Sequence, residues 1–424
     1  AWSVSVSVWA KQLHVEVPAA GASFAYNPPL FQPQHLTPFW HDLVALQQGE
    51  QRTVSVLHIG DSHIQADYFT HPVRLTLQAK FGNAGRGLIT PLRAAGSNEA
   101  FNIKTSTTGS WQTQRATQSV GNAFRSPVGV SGLSLGTMQL GASLMVNSCR
   151  DCGTQYPIRE LQFWFYPSPQ SFAWQIRDES GAELVTISGQ GDGDPAHIMQ
   201  QVKQVLPSAQ TQLSLHTAMT NGDEAQNLSV LYGLNVLSGQ PGVLYHSVGL
   251  NGASLQDWLN AELLEQQVAD LNVDLIVVSL GTNEAQVDAD KFDTVRYTRQ
   301  LHALVSLLQR ASQNAPVLLI TPPNSYRHKR ANATLTQVVR AQVAYAQQYG
   351  IGLWDMYALT HRPEQLAYWL QRWMRPDGVH FTPEGYVQQA NYFMAALMQG
   401  YHNYEQQMAS TVELPPLNLH EVLP

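Results

Sequence analysis

The sequence predicts an α/β domain built on a parallel sheet sandwiched by helices, interrupted by an inserted all-β sandwich. Three observations carry this. Residues 53–60 (TVSVLHIG) form a β-branched run closed by Gly60, and a helical pattern follows over 64–81, which makes a strand–turn–helix opening. The alternation returns late in the chain, with an apolar run at Leu275–Leu280, a helix over Phe292–Ala311, a strand at Val317–Thr321 and a helix over Leu335–Tyr349. Strands alternating with helices imply a parallel sheet covered on both faces. Between these parts the period changes to two. Leu161, Phe163 and Phe165 alternate with Gln162, Trp164 and Tyr166, and short runs at Trp174–Arg177, Leu184–Ile187, Leu213–His216 and Leu228–Leu237 are separated by Gly, Pro, Ser and Asp. Several short strands with turn signals predict a sandwich.

At 424 residues the chain exceeds a usual single-domain length. The patterns divide it into an N-terminal extension and helix (1–50), a first part of the α/β domain (51–97), the inserted sandwich (98–240), a second part of the α/β domain (241–400) and a tail (401–424). From Met408 onward helical periodicity is missing and Pro415, Pro416 and Pro424 occur, so an extended tail is expected.

With 31 acidic and 24 basic residues the net charge is −7, and no basic stripe suited to phosphate backbones is present. Nucleic acid is excluded as an expected partner. Only 13% of residues are charged, while Gln, Asn, Ser and Thr are abundant; a neutral, hydrogen-bonding surface suits carbohydrate. The longest apolar stretches fall short of the roughly 20 residues a membrane helix needs, so no transmembrane segment is expected. The start at Ala1, followed by apolar Trp2–Ala10 without a basic leader, fits a removed secretory signal or an arbitrary boundary. Cys149 and Cys152 cannot complete a four-ligand zinc site, which leaves a local disulfide or two free thiols.

Four segments carry chemistry: Gly60-Asp61-Ser62-His63, Gly249-Leu250-Asn251-Gly252, Gly281-Thr282-Asn283-Glu284 and Asp377-Gly378-Val379-His380. Each falls at a strand end or in a connection, where loops of a parallel sheet gather at one edge. A serine hydroxyl needs a neighbouring base to become a nucleophile, and Ser62 follows an apolar strand directly. His380 suits the base and later the acid, and Asp377, three residues earlier, can reach its other ring nitrogen and fix the tautomer. The backbone N–H groups of Ser62 and Gly252 and the side-chain amide of Asn283 are candidate donors to an oxyanion. This chemistry calls for no metal and no cofactor.

In order, these segments resemble blocks I, II, III and V of the SGNH, or GDSL-type, hydrolase superfamily. The resemblance implies a flavodoxin-like sheet, Ser62 as nucleophile, Gly252 and Asn283 as oxyanion donors, and Asp377 and His380 as the Asp-x-x-His pair. His63 stands where many members have leucine, and Glu284 where aspartate is frequent. The Gly-Asp-Ser-His-Ile-Gln opening and the Gly-x-Asn-Gly-Ala block are similar to those of periplasmic peptidoglycan O-acetylesterases of Gram-negative bacteria, which carry a carbohydrate-binding-module-like sandwich between blocks I and II. That resemblance implies a serine esterase acting on O-acetylated peptidoglycan or a related acetylated polysaccharide, and a periplasmic or otherwise exported location. An SGNH-type carbohydrate O-acetyltransferase and a non-catalytic carbohydrate-binding scaffold are the alternatives.

Taken singly, each signal has a plainer reading. Gly-Asp-Ser is a common turn, Gly249 and Gly252 can both serve a turn only, Asn283 can cap a helix, and Asp61 can hold turn N–H groups. His63 can pack beside the nucleophile or touch substrate. His58, His71, His246, His328 and His361 lack paired ligand spacing and read as surface or satisfied core residues. Trp164 and Trp174 can stack on sugars, but core packing is the default.

Overall fold

A computed structural model describes residues 27–118, 124–150, 155–220, 226–361, 368–369 and 371–412. The chain enters through helix α1 (Thr37–Gln47) and strand β1 (Thr53–Gly60), whose buried residues leave only Thr53 exposed. The single helix expected over 64–81 is two: α2 (Ser62–Gln65) and α3 (Thr70–Phe81). Asp67 breaks it, with a left-handed φ of +64°. Its carboxylate accepts from Arg74 Nη1 at 2.9 Å and from Arg86 Nη2 at 2.7 Å, deep in the protein. Burial pushes this carboxyl up, but the two guanidinium groups outweigh burial and hold it below the usual carboxylate range. Strand β2 (Gly85–Ile89), which carries Arg86, follows.

The middle of the chain contributes β3 (Lys104–Thr108), β4 (Gln112–Arg115), β5 (Leu133–Thr137), β6 (Ser143–Asn147), β7 (Ile158–Phe165), β8 (Ala173–Asp178), β9 (Glu183–Ile187), β10 (Gln200–Gln210), β11 (Gln212–Ala218) and β12 (Ser229–Leu237). They form two antiparallel sheets, ordered β10-β7-β12-β5-β4 and β3-β6-β11-β8-β9, and β2 pairs with β12. Because side chains alternate along a strand, β7 serves two cores. Leu161, Phe163 and Phe165 pack with Trp174 between the sheets, whereas Trp164 joins the core of the α/β domain. There its indole N–H donates to Asp270 Oδ2 at 2.7 Å. Both tryptophans are buried and neither offers a ring to sugar.

The remainder comprises β13 (Gly242–Gly249), α4 (Leu255–Leu259), α5 (Leu264–Asp270), β14 (Leu275–Ser279), α6 (Thr294–Ala311), β15 (Val317–Ile320), the hairpin β16 (Tyr326–Arg327) and β17 (Arg330–Ala331), α7 (Ala333–Tyr349), β18 (Gly352–Trp354), α8 (Met356–His361) and α9 (Pro383–Val412). The central sheet runs β13-β1-β14-β15-β18, all parallel. In chain order this is 2-1-3-4-5, the flavodoxin-like arrangement. Leu57, Ile59, Ile276 and Val278 face α6 and α7, and Val54, Val56 and Val277 face α1, α3 and α9. The sheet is thus covered on both sides, as the sequence predicts.

The expected extended tail is corrected as far as Val412, because α9 continues through Met408 to that residue. Tyr401 at its centre is buried against Trp40 and Phe81, and this tertiary packing outweighs the weak local pattern. Residues 1–26 and the prolines Pro415, Pro416 and Pro424 lie outside the described residues, as does Cys152. Cys149 is buried and disulfide-bonded. Among the described residues no helix is long and apolar enough to cross a membrane.

Two core histidines add side-chain hydrogen bonds between neighbouring strands. His58 spans Tyr245 and Ser279 at 2.8 and 2.7 Å, and His246 Nδ1 accepts the Leu88 N–H at 3.1 Å. Burial pushes both down to about 3, and His63 likewise. An unfolded histidine titrates near 6.5. Below that pH the unfolded chain binds protons that the folded one refuses, so the stabilisation is complete above about pH 6.5 and is lost as pH falls towards 3. Between pH 7 and 5 each such histidine costs about 2 kcal/mol. Asp61, which burial pushes up to about 7, acts oppositely and offsets roughly one histidine's share over that interval. Urea midpoints are therefore expected to fall from pH 7 to 5, and His246→Gln to flatten the fall by about 2 kcal/mol.

Candidate active site

Three neighbouring strands end level with one another. Gly60 of β1 pairs with Gly249 of β13 on one side and Ser279 of β14 on the other, so their following loops start side by side. Ser62, Gly252 and Asn283 lie in those three loops, at the point where strand order reverses and ligands of such sheets bind. The fourth segment, Asp377–His380, comes from the connection leading into α9.

Ser62 opens α2, capped by Asp61, whose Oδ1 accepts the His63 N–H at 2.9 Å. The Ser62 Oγ lies 2.8 Å from His380 Nε2, and His380 Nδ1 lies 3.0 Å from Asp377 Oδ2. An ionised carboxylate only accepts, so Nδ1 holds the proton and Nε2 is left to accept from the serine hydroxyl. Asp377 is set by its own turn. Its Oδ1 accepts the N–H groups of Val379 and His380 at 2.8 and 2.9 Å. Partial burial raises its carboxyl, but these bonds and the imidazole outweigh it and hold Asp377 below the usual range. The pair remains open to solvent, with side chains 48% (Asp377) and 31% (His380) exposed.

The other two oxyanion candidates lie in the loops that leave the sheet on either side of the Ser62 loop. Gly252 has a left-handed φ of +78°, with open space where a Cβ would stand. Gly249, by contrast, ends β13 and belongs to the framework: a Cβ there would lie 2.3 Å from the Gln65 nitrogen. The half-buried Asn283 donates one amide hydrogen to Ala253 O at 2.8 Å, which orients the group and leaves the second hydrogen available. Glu284 accepts the Leu255 N–H at 2.6 Å and so ties this loop to the start of α4.

Sequence reasoning missed one residue in this array, Gln65. Its Oε1 accepts the Asn251 N–H at 2.5 Å, and its Nε2 donates to Asn98 O at 2.6 Å and Ser97 Oγ at 3.1 Å. It therefore clamps the loop that carries Gly252 to the loop at 97–98. The signals available were its place one helical turn after Ser62 and its closing position in the Gly-Asp-Ser-His-Ile-Gln opening. His63 packs rather than reacts. Its ring lies 5.3 Å from that of His380, and its Nδ1 is 2.9 Å from the Tyr386 hydroxyl. His58, His71 and His246 are buried and His328 is exposed on a turn, while the side chain of His361 lies outside the described residues. The arrangement offers a polarised hydroxyl, a base able to accept and return a proton, and donors for a developing negative charge, which is the equipment of acyl transfer.

Residues 220–388 match the GDSL-like lipase/acylhydrolase family. Over 88% of this chain and 99% of the other, the fold superposes with a TM-score of 0.72 and 22% identity on a solved structure described as a peptidoglycan O-acetylesterase in action. A lipase/acylhydrolase from Enterococcus faecalis (20% identity, 39% of this chain and 77% of that one, TM-score 0.30) also matches. So does the acetylxylan esterase Axe2 from Geobacillus stearothermophilus (17% identity, 37% and 73%, TM-score 0.29). No curated protein matches the sequence. The family match begins just before β12, the last strand of the antiparallel sheets, and so omits Ser62, which the fold returns to the other blocks. Residues 220–388 are thus similar to GDSL-like lipases/acylhydrolases, and the fold as a whole resembles that of the solved peptidoglycan O-acetylesterase structure.

Proposed function

We propose that this esterase removes O-acetyl groups from peptidoglycan, or from a closely related acetylated polysaccharide, with Ser62, His380 and Asp377 as its triad. The observation that carries the reading is the continuous chain Ser62 Oγ–His380 Nε2 and His380 Nδ1–Asp377 Oδ2, at 2.8 and 3.0 Å, at the switch point of the sheet. Ser62 attacks the acetyl carbonyl while His380 takes its proton, and Asp377 stabilises the imidazolium. The carbonyl oxygen, now negative, receives hydrogen bonds from the N–H groups of Ser62 and Gly252 and from Asn283. As the C–O bond breaks, His380 gives the proton to the departing sugar oxygen, which leaves as a hydroxyl. Water, activated by the same imidazole, then releases acetate and restores the serine. The exposure of His380 and Asp377 favours water as acceptor over a transferase, which must exclude it.

The substrate reading is supported by the extent of the fold match, which includes both the central sheet and the antiparallel sheets. The division at 51–97, 98–240 and 241–400, and an exported location, belong to the same proposal. The disulfide-bonded Cys149 supports an oxidising compartment.

Acetate release from O-acetylated peptidoglycan, with a small acetyl ester as control, tests this directly. Wild type is expected to release acetate from both. Ser62→Ala should abolish both, and Asp377→Asn should lower kcat by about 10³–10⁴-fold through the wrong tautomer. Activity on the small ester alone would keep the triad and discard peptidoglycan. Gln65→Ala is expected to lower kcat by about 10–100-fold, less than the 10²–10³-fold cost of deleting a whole oxyanion donor, with KM for the small ester little changed. Initial-rate kinetics with a thermal melt would read both effects.

A further inference from the structure

The segment Arg327-His328-Lys329-Arg330 is the densest basic run in a chain of net charge −7. It forms the β16–β17 hairpin, in which Tyr326 pairs with Ala331 and Arg327 with Arg330 around a two-residue turn. His328 and Lys329 both have left-handed φ, +52° and +62°. A two-residue hairpin turn with both φ positive favours Asn and Gly, which fill these positions cheaply. Here they are filled by larger side chains at a steric cost, and strain of this kind collects where a side chain is wanted for function.

The hairpin is joined to the catalytic loop. The Tyr326 N–H donates to Gly378 O at 2.7 Å, and the Tyr326 side chain stands 3.0 Å from where a Gly378 Cβ would be. Gly378 lies between Asp377 and His380. Between the hairpin and the stretch following Asn283 is an open cavity of about 410 Å³, lined by Asp288, Arg327, His328 and Arg330. The charges do not cancel there. Asp288 pairs with Arg327 and, at 3.0 Å, with Lys291. Asp290 lies near Lys291, and Asp377 is committed to His380. Among the described residues Lys329 and Arg330 have no ion-pair partner, and both are exposed, as is Arg375 in the catalytic loop.

We propose that this hairpin is a recognition site for carboxylates of an anionic polymer, gripping the acylated substrate beside the reacting ester. The inference rests on the esterase reading for the position of the ester, and it adds the substrate's charge. Lys329 and Arg330 supply charge-assisted donors at the rim, and the local positive field draws an acidic chain to a protein that is negative overall.

The test uses three substrates: a neutral small acetyl ester, O-acetylated peptidoglycan, and the same peptidoglycan with its carboxylates amidated. The variant is His328→Asn/Lys329→Gly/Arg330→Gln, which installs the turn's favoured residues and so keeps the hairpin folded. Amidation is expected to lower wild-type kcat/KM by about 5–20-fold, the size of two or three exposed charge contacts. The variant should match that lower value on both polymers and equal wild type on the small ester, and the wild-type advantage should shrink at high salt. Wild-type rates in the variant on the carboxylated polymer, or an equal loss on all three substrates, would overturn the proposal. If wild type cleaves the small ester but not peptidoglycan, the peptidoglycan reading fails by itself. Polygalacturonate as an inhibitor of small-ester hydrolysis then decides the hairpin: inhibition lost in the variant supports it, and equal or absent inhibition overturns it.

Discussion

The site depends on a close backbone approach that glycine alone permits. Where β1 ends, the chain begins α2 within two residues while lying against the end of β13. A Cβ on Gly60 would stand 2.3 Å from Ile64 Cγ1, and one on Gly249 would stand 2.3 Å from the Gln65 nitrogen and 2.6 Å from Asp61 O. Such distances leave no room for a side chain. Since Gly60 pairs with Gly249 and with Ser279, the contact also fixes the level at which three loops leave the sheet. A slip of one residue would reverse the faces of β1, exposing Leu57 and Ile59 to the wrong core. The register and the starting points of the loops that carry Ser62, Gly252 and Asn283 are therefore set together.

Buried polar groups hold what the glycines allow. Asp67, Arg74 and Arg86 join the break after α2 to α3 and β2. A buried ion cluster of this kind adds little net stability over an apolar one, but losing one partner costs about 3–5 kcal/mol, so it selects a single backbone path. On the other side of Ser62, His63 is neutral and bonded to Tyr386, a residue of α9. The imidazole of His380 packs beside this ring. The serine turn is thereby connected to the His380 loop by this packing as well as by the Ser62–His380 hydrogen bond.

Those parts of the fold that rest on local pattern were legible in the sequence. Strand β1 and helices α6 and α7 occupy the expected stretches, to within about two residues at the ends, as such boundaries allow. The four segments around Ser62, Gly252, Asn283 and His380 stood out because each joins turn residues to chemistry-bearing ones at a strand end or in a connection. What was not legible depends on distant partners. The break at Asp67 needs Arg86 from β2, and the clamp of Gln65 needs Asn98 and Asn251. The continuation of α9 past Met408 needs Tyr401 against Trp40 and Phe81. Trp164 read as half of a sandwich strand's alternation, yet its partner is Asp270 on a helix more than a hundred residues away. Period two identifies the strand but does not say what covers its second face.

That second face explains how a large insertion leaves the parallel sheet undisturbed. The chain departs through β2, which pairs with β12, and β12 leads within a few residues into β13 beside β1. Entry and exit adjoin closely: the Ser238 N–H donates to Ala84 O at 2.9 Å, and a Cβ on Gly242 would strike the Gly82 carbonyl. With its ends already together, the insertion adds little loop-closure cost to the surrounding fold, which grows only slowly with length. Its inner surface also bears on the connection after Gly252. Trp164 and Gln162 bind Asp270 at the end of α5, the Val130 N–H donates to Gln267 on the same helix, and the Leu263 N–H donates to Val128 O. Helix α5 follows the Gly252 loop and α4, so the antiparallel sheets buttress one wall of the site from behind. The β-rich insertion is thus part of the scaffold behind the Gly252 loop, the loop proposed to supply an oxyanion donor.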